Sequence, residues 1–322
     1  MSAREEVATG QGVLPPDSGA PVPTRAQVSG EPPLSADEVL SQRNDPSLLQ
    51  LLLRNRAVVW GGLLLLVIIL LAVVGPIFTP DPMDQNVITR LKPPSVAYWF
   101  GTDFLGRDIF ARVVHGGRIS LVVGIAVAVI ATSIGLVTGL ISGYIRWLDA
   151  IVMRVMDGLM AIPAILLAIA MVSISGATLT TVVIAIVIPE IPRVVRLVRS
   201  VVLTVREEPY VEAAIASGTR LHLILFRHIL PNTIAPLIVQ ATYICGAAMI
   251  TESILGFLGA GIPPEIPSWG NIMSEGRTYF QLTPWIIFFP GTLLAITVLA
   301  VNVVGDGLRD TLDPRIARKM SA

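Results

Sequence analysis

Lysine is nearly missing from this sequence: Lys92 and Lys319 are the only two in 322 residues. Neither follows glycine or precedes serine or threonine, so no Gly-Lys-Ser/Thr loop can cradle a nucleotide's phosphates, and the chain cannot be its own ATPase. Charge of every kind is thin. Asp, Glu, Lys and Arg make up 14% of the chain, where a soluble domain carries about 25%. Cysteine occurs once, as Cys245 inside an apolar run, which rules out an intrachain disulfide and leaves a small packed side chain. The three histidines, His115, His222 and His228, form no His-Glu-x-x-His pair for zinc. Neither a Gly-x-Ser-x-Gly elbow nor a Ser-His-Asp arrangement is present. No catalytic residue, metal site or cofactor is expected. The absence of a basic stripe interleaved with aromatics points away from nucleic acid.

What the sequence does have is apolar surface in blocks. Hydrophobic residues make up 53% of the chain and the mean hydropathy is +0.73. A soluble fold of this size could not hide that surface, whereas a bilayer removes the need to. Five charge-free runs stand out, at 57–80, 119–145, 158–189, 228–251 and 278–305. A spanning helix needs about 20 apolar residues. The third run is too long for one crossing and contains small polar residues at 173–178, so it reads as two helices joined by a tight turn. The last helix is expected to start near Pro284, a good first-turn residue. The expected fold is all-α and polytopic, with six transmembrane helices.

The first 50 residues are rich in Pro, Gly, Ser and acidic side chains and read as a disordered tail. A short helical segment follows at 45–56. More than 50 polar residues precede the first apolar run, so that run reads as an uncleaved anchor rather than a signal peptide. The expected division is a tail over 1–50, a first helix with an external segment over 51–118, and a core over 119–318. Arginine counts in the loops place both termini inside. Arg107, Arg112 and Arg118 weaken that bias, and an interfacial helix is expected there, its arginines paired with Asp103, Asp108 or lipid headgroups.

The segment 205–232 is long for a loop, so it is expected to fold. Pro209 suits a first helical turn, and Glu207 and Glu208 favour its positive end. Val211 and Ile215 give one apolar edge, while Ala213, Ala214 and Ala216 leave a bare face bearing Glu212. Gly218 ends the helix where positive φ is cheap. A second helix with Leu221, Leu225 and Phe226 is expected to follow until Pro231 opens the next span. Such a small, bare face lets another protein approach closely.

Glu212-Ala213-Ala214, then Gly218, then Pro231 at the family's spacing resembles the EAA signature of permease subunits of bacterial ATP-binding-cassette importers. Further likeness lies at 100–112 (FGTDFLGRDIFAR), 117–121 (GRISL), 257–271 (FLGAGIPPEIPSWGN), 274–277 (SEGR), 305–310 (GDGLRD) and 312–315 (LDPR). These segments are similar to the C-type permease of the dipeptide/oligopeptide/nickel branch. Glu265 departs from the pattern, standing where an uncharged residue is expected. The resemblance implies a type I permease fold in the bacterial inner membrane, with cytoplasmic termini and a cytosolic coupling helix at 207–218. Tyr210, Glu212, Ala213, Ala214, Ser217, Gly218 and Pro231 would carry the coupling. It also implies a second homologous permease, two ATPase subunits, a solute-binding protein outside, and a peptide substrate. Nickel or a nickel chelate is the alternative cargo.

Charges at membrane depth are functional suspects. Glu190, between Pro189 and Pro192, is either part of a flexing joint or a carboxylate paired with Arg193 or Arg196. Glu252 either lines a path or bonds a neighbouring helix. These two and Asn302 are the pathway candidates. Asp157 with Arg154, and Asp306 with Arg309, are expected structural pairs. Gly124, Gly135, Gly139 and Gly143 permit close helix approach, within this chain or against a sister. Trp269 suits a membrane interface. An ion-coupled carrier would need paired carboxylates and an inverted repeat, and neither is visible. A membrane scaffold without transport would leave 207–231 unexplained.

Overall fold

The computed structural model describes residues 52–312. The expected tail over 1–50 and the last residues of the expected core fall outside that range. Nine helices carry the described chain: α1 Arg56–Phe78, α2 Ile109–Tyr144, α3 Arg146–Met160, α4 Ala164–Ser175, α5 Leu179–Arg206, α6 Pro209–Ala216, α7 Leu221–Phe257, α8 Trp269–Arg277 and α9 Trp285–Leu312. No strand occurs among the described residues. Helices α1, α2, α7 and α9 are each long and apolar enough to cross a membrane, and α3 with α4, bent by 83° at the break between them, count as a fifth if the pair is one broken span. At 28 residues, α5 has the length of a sixth. Helices suit lipid because each closes its own backbone hydrogen bonds.

Side chains start several of these helices. Asn55 caps α1 by accepting from the Ala57 N–H at 3.0 Å, and Asp108 caps α2 by accepting from Phe110 at 2.9 Å. Gly176, at φ 85°, stops α4, and Thr178 caps α5 by accepting from Thr181, so the expected turn near 173–178 falls at 176–178. The third expected span differs from its reading. Residues 158–160 end α3, and Pro163 begins the turn into α4 with no N–H to extend the earlier helix.

The external segment also departs from expectation. No separate interfacial helix carries Arg112 and Arg118; both lie in the first turns of α2, which starts at Ile109 rather than 119. The reason is charge pairing. Asp103 Oδ2 accepts from Arg107 Nε at 2.6 Å and from Arg112 Nη1 at 2.9 Å. Glu275 on α8 accepts from Arg112 Nη1 at 2.5 Å and Nη2 at 3.0 Å, and also from Arg107. Two arginines and two carboxylates therefore neutralise one another, with Arg112 0% exposed. Asp108 serves as the cap instead of an ion-pair partner. Trp269 lies in the interior at 2% exposure, where its indole N–H donates to the Val113 carbonyl at 2.9 Å. The short helix α8 is drawn between α2 and α9, which is why its first residue is not at an interface. Asn271 ties the 262–266 loop to α8 through the carbonyls of Ile262, Pro263 and Ile266.

Helices α2 and α5 pack against each other along their length. A Cβ on Gly135, Gly139 or Gly143 would come within 2.5, 2.7 and 2.8 Å of Val194, Val198 and Val202 respectively. The four-residue spacing of both sets forms a ladder of valines seated on glycines within this chain. Gly124 receives Met249 and Cys245 of α7 in the same way. Gly139→Leu would force α2 and α5 apart, at a cost of about 1–3 kcal/mol or more from overpacking. A lower unfolding midpoint in detergent is the expected outcome, and an unchanged midpoint would show that the ladder does not hold the pair.

Candidate functional site

Helix α6 is short, and one side chain anchors it. Val211 is 0% exposed and joins the main apolar core. Tyr210, Glu212, Ala213, Ile215, Ala216, Ser217 and Gly218 are exposed, and Ala214 is half-buried. Pro209 occupies the first turn, after α5 has ended at Arg206. At the other end Gly218 has φ 74°. Thr219 N–H donates to the Ala214 carbonyl at 3.1 Å and Gly218 N–H to Ile215 at 2.9 Å, the paired bonds of a Schellman cap. A Cβ at Gly218 would meet no atom within 4 Å, so backbone conformation alone requires glycine there. The Ser217 hydroxyl donates to the Ala213 carbonyl at 2.8 Å, leaving the Ala face free of side-chain bulk.

No independent second helix follows. Residues 221–257 form one helix whose segment Ile224–Ile229 has π geometry. Leu230 N–H reaches back five residues to the Leu225 carbonyl. Pro231 explains the insertion: it has no N–H to donate, and its ring would clash with the carbonyl four residues earlier in an α register. Asn232 completes the joint. Its amide Nδ2 donates to the His228 carbonyl at 2.7 Å and to the Tyr210 hydroxyl at 3.1 Å, tying the π segment to α6.

Beside α6 lies a cleft of about 640 Å³, walled by Arg146, Asp149, Arg199, Arg206 and Glu212 among others. Asp149 holds Arg199 through two bonds, one of them Nη2–Oδ2 at 2.6 Å. Arg206 sits over the Tyr144 ring at 5.5 Å. Asp157 pairs with Arg196 of α5 at 2.6 Å rather than with Arg154, because α3 packs along α5 there.

The three pathway candidates occupy different surroundings. Glu190 is 7% exposed; Arg193 Nη1 donates to its Oε1 at 2.8 Å, and its Oε2 has no partner. Glu252 is 0% exposed and accepts from Ser120 at 3.1 Å and Ser253 at 3.4 Å, with Oε1 unpaired. Asn302 lines a cavity of about 190 Å³ with Gln240, Tyr243, Asp306 and Arg309. Neither Glu190 nor Glu252 lines that cavity. Sequence reading missed Gln240, whose signal was an amide deep within the apolar run 228–251. It also missed Asn232 and Glu275 as working groups, since their partners lie 22 and 163 residues away. Among the described residues no cluster of His, Cys, Asp or Glu is placed to hold a metal ion.

The sequence matches the family model described as "Binding-protein-dependent transport system inner membrane component" over residues 131–318. It also matches "N-terminal TM domain of oligopeptide transport permease C" over residues 48–94. A probable peptide ABC transporter permease protein of Sinorhizobium fredii is 50% identical over 296 residues, covering 92% of this chain and 99% of that one. The dipeptide transport system permease protein DppC of Alkalihalophilus pseudofirmus is 44% identical, covering 82% of this chain and 88% of its own length. A putative peptide transport system permease protein of Brucella abortus is also 44% identical, with 82% and 90% covered.

Pro231→Ala removes the cause of the π segment. One residue of register turns α6 by about 100° relative to α7. Spin labels at Ala213 and Leu299 would then report a displaced distance distribution, and an unmoved distribution would remove Pro231 from this role.

Proposed function

The chain belongs to the family of binding-protein-dependent transport system inner membrane components, and from that premise we propose that it is the permease subunit of an ATP-driven importer of short peptides. It pairs with a homologous permease, binds two ATPase subunits on the cytosolic side, and receives cargo from a solute-binding protein outside. The carrying observation is α6: an exposed, alanine-faced helix fixed by the buried Val211 and closed by Gly218. A foreign protein can grip such a helix without displacing bulky side chains. Tyr210, Glu212, Ala213, Ala214 and Ser217 are its contact face. Movement of α6 reaches α7 through Pro231 and Asn232, and the helices rock between inward- and outward-open states. Cargo crosses without covalent chemistry.

Charge supports cytosolic placement of α6 and both termini. Arg193, Arg196, Arg199, Arg206, Arg220 and Arg227 flank it, and these count toward the inner side. On the opposite side Arg107 and Arg112 are buried against Asp103 and Glu275 inside the protein. The relatives whose printed names specify a cargo specify peptide or dipeptide, which favours peptide over nickel.

Tagged chain purified in gentle detergent is expected to bring down ATPase subunits. In a deletion strain, the wild-type chain should restore uptake of a labelled dipeptide but not of nickel. Glu212→Lys and Gly218→Pro should abolish uptake while the chain still inserts. Unchanged uptake in both variants would remove the coupling role, and restored nickel uptake alone would reassign the cargo.

A further inference from the structure

Helices α7 and α9 place polar side chains on one shared groove. Asn232, Gln240 and Tyr243 come from α7, and Asn302, Asp306 and Arg309 come from α9. The groove comprises adjoining spaces of about 610 and 190 Å³ that share Gln240 and Arg309. From Asn232 to Tyr243 it climbs roughly 16 Å along α7, at about 1.5 Å per residue. An extended peptide of three residues spans about 10 Å, so the groove has room for one. The two helices come close at its upper end. A Cβ on Gly305 would lie 2.2 Å from Thr242 Oγ1, and one on Gly246 would lie 3.3 Å from Asn302 Oδ1. The amides therefore sit under a crossing, in a recess. Side chains of this polarity are costly against lipid and belong in a water-filled cavity or against another chain.

We propose that this groove is the chain's half of a peptide-binding vestibule, which grips the peptide by its backbone and termini rather than by its side chains. The proposal rests on the importer reading above. Primary amides both donate and accept, so Gln240 and Asn302 suit the alternating N–H and C=O groups of any peptide backbone. Asp306 and Arg309, one turn apart on α9 and both exposed, offer one charge of each sign, Asp306 in the upper space and Arg309 shared by both spaces. Asp306 receives the terminal ammonium and Arg309 the terminal carboxylate, the latter in a fork suited to a carboxylate. A metal ion is a poor occupant, since the groove holds a single carboxylate. The groove opens at the end of α7 that carries Asn232, the residue bonded to Tyr210 of α6. Occupancy and coupling thus share a helix end.

The test uses the full importer in detergent and a photoreactive labelled dipeptide. The probe should label this chain within α7 or α9, located by mass spectrometry. Gln240→Leu and Asn302→Leu should each weaken competition by unlabelled dipeptide about fivefold, the factor that loss of one hydrogen bond of about 1 kcal/mol corresponds to. With wild-type protein, an N-acetylated dipeptide should compete less well than the free one, and Asp306→Asn should erase that difference. The wild-type comparison needs no variant to fold. Labelling confined to the sister permease or to other helices would overturn the proposal, as would equal competition by acetylated and free dipeptide. Dipeptide uptake by the wild-type importer in vesicles is measured alongside. Uptake without groove labelling refutes the groove alone, whereas no uptake refutes the importer reading beneath it.

Discussion

Inside hydrocarbon an apolar helix gains nothing by trading lipid for another apolar helix, so the bundle must be held by shape and by paired polar groups. Both devices are present, at opposite ends of α2. Toward its C-terminus, Gly135, Gly139 and Gly143 let α5 lie close enough for Val194, Val198 and Val202 to seat against backbone. At its N-terminus, Arg112 meets Asp103 and Glu275 in a cluster that carries no net charge once Arg107 is included. Removing one member of such a cluster leaves an uncompensated buried charge, which typically costs 3–5 kcal/mol. Helix α2 is thereby fixed to α8 at one end and to α5 at the other.

The locked α2–α5 pair gives α6 a firm base. A helix of eight residues is too short to be stable by itself in water. Here it is stabilised by the buried Val211, by the first-turn proline, and by the glycine cap. Everything else on it is left exposed. The π segment that follows has the same logic at the next junction. One proline forces an extra residue into the helix, and Asn232 uses the His228 carbonyl and the Tyr210 hydroxyl to brace the result. α6 and the start of α7 are therefore joined by one side-chain bond, from Asn232 to Tyr210.

The polar groove above that junction is lined by amides and charges of both α7 and α9. Glu190 and Glu252 have a different character: each is enclosed by its own chain, one held by Arg193 and the other by serine hydroxyls. The Glu252–Ser120 bond joins α7 to α2, whereas the Glu190–Arg193 pair lies within α5.

The sequence alone settled what depends on neighbours along the chain. Charge-free runs marked the spanning helices because crossing lipid needs length and apolarity and nothing more. Pro209, the alanines and Gly218 marked α6 because first turns and C-caps are local chemistry. Only the tertiary structure decided where distant groups meet. Arg112 with Glu275, Gly139 with Val198 and Asn302 with Gln240 are each set by helix packing across tens of residues. The start of α2 at Ile109 and the burial of Trp269 followed from those meetings, because a charge or an indole N–H can enter the interior only where a partner is already waiting.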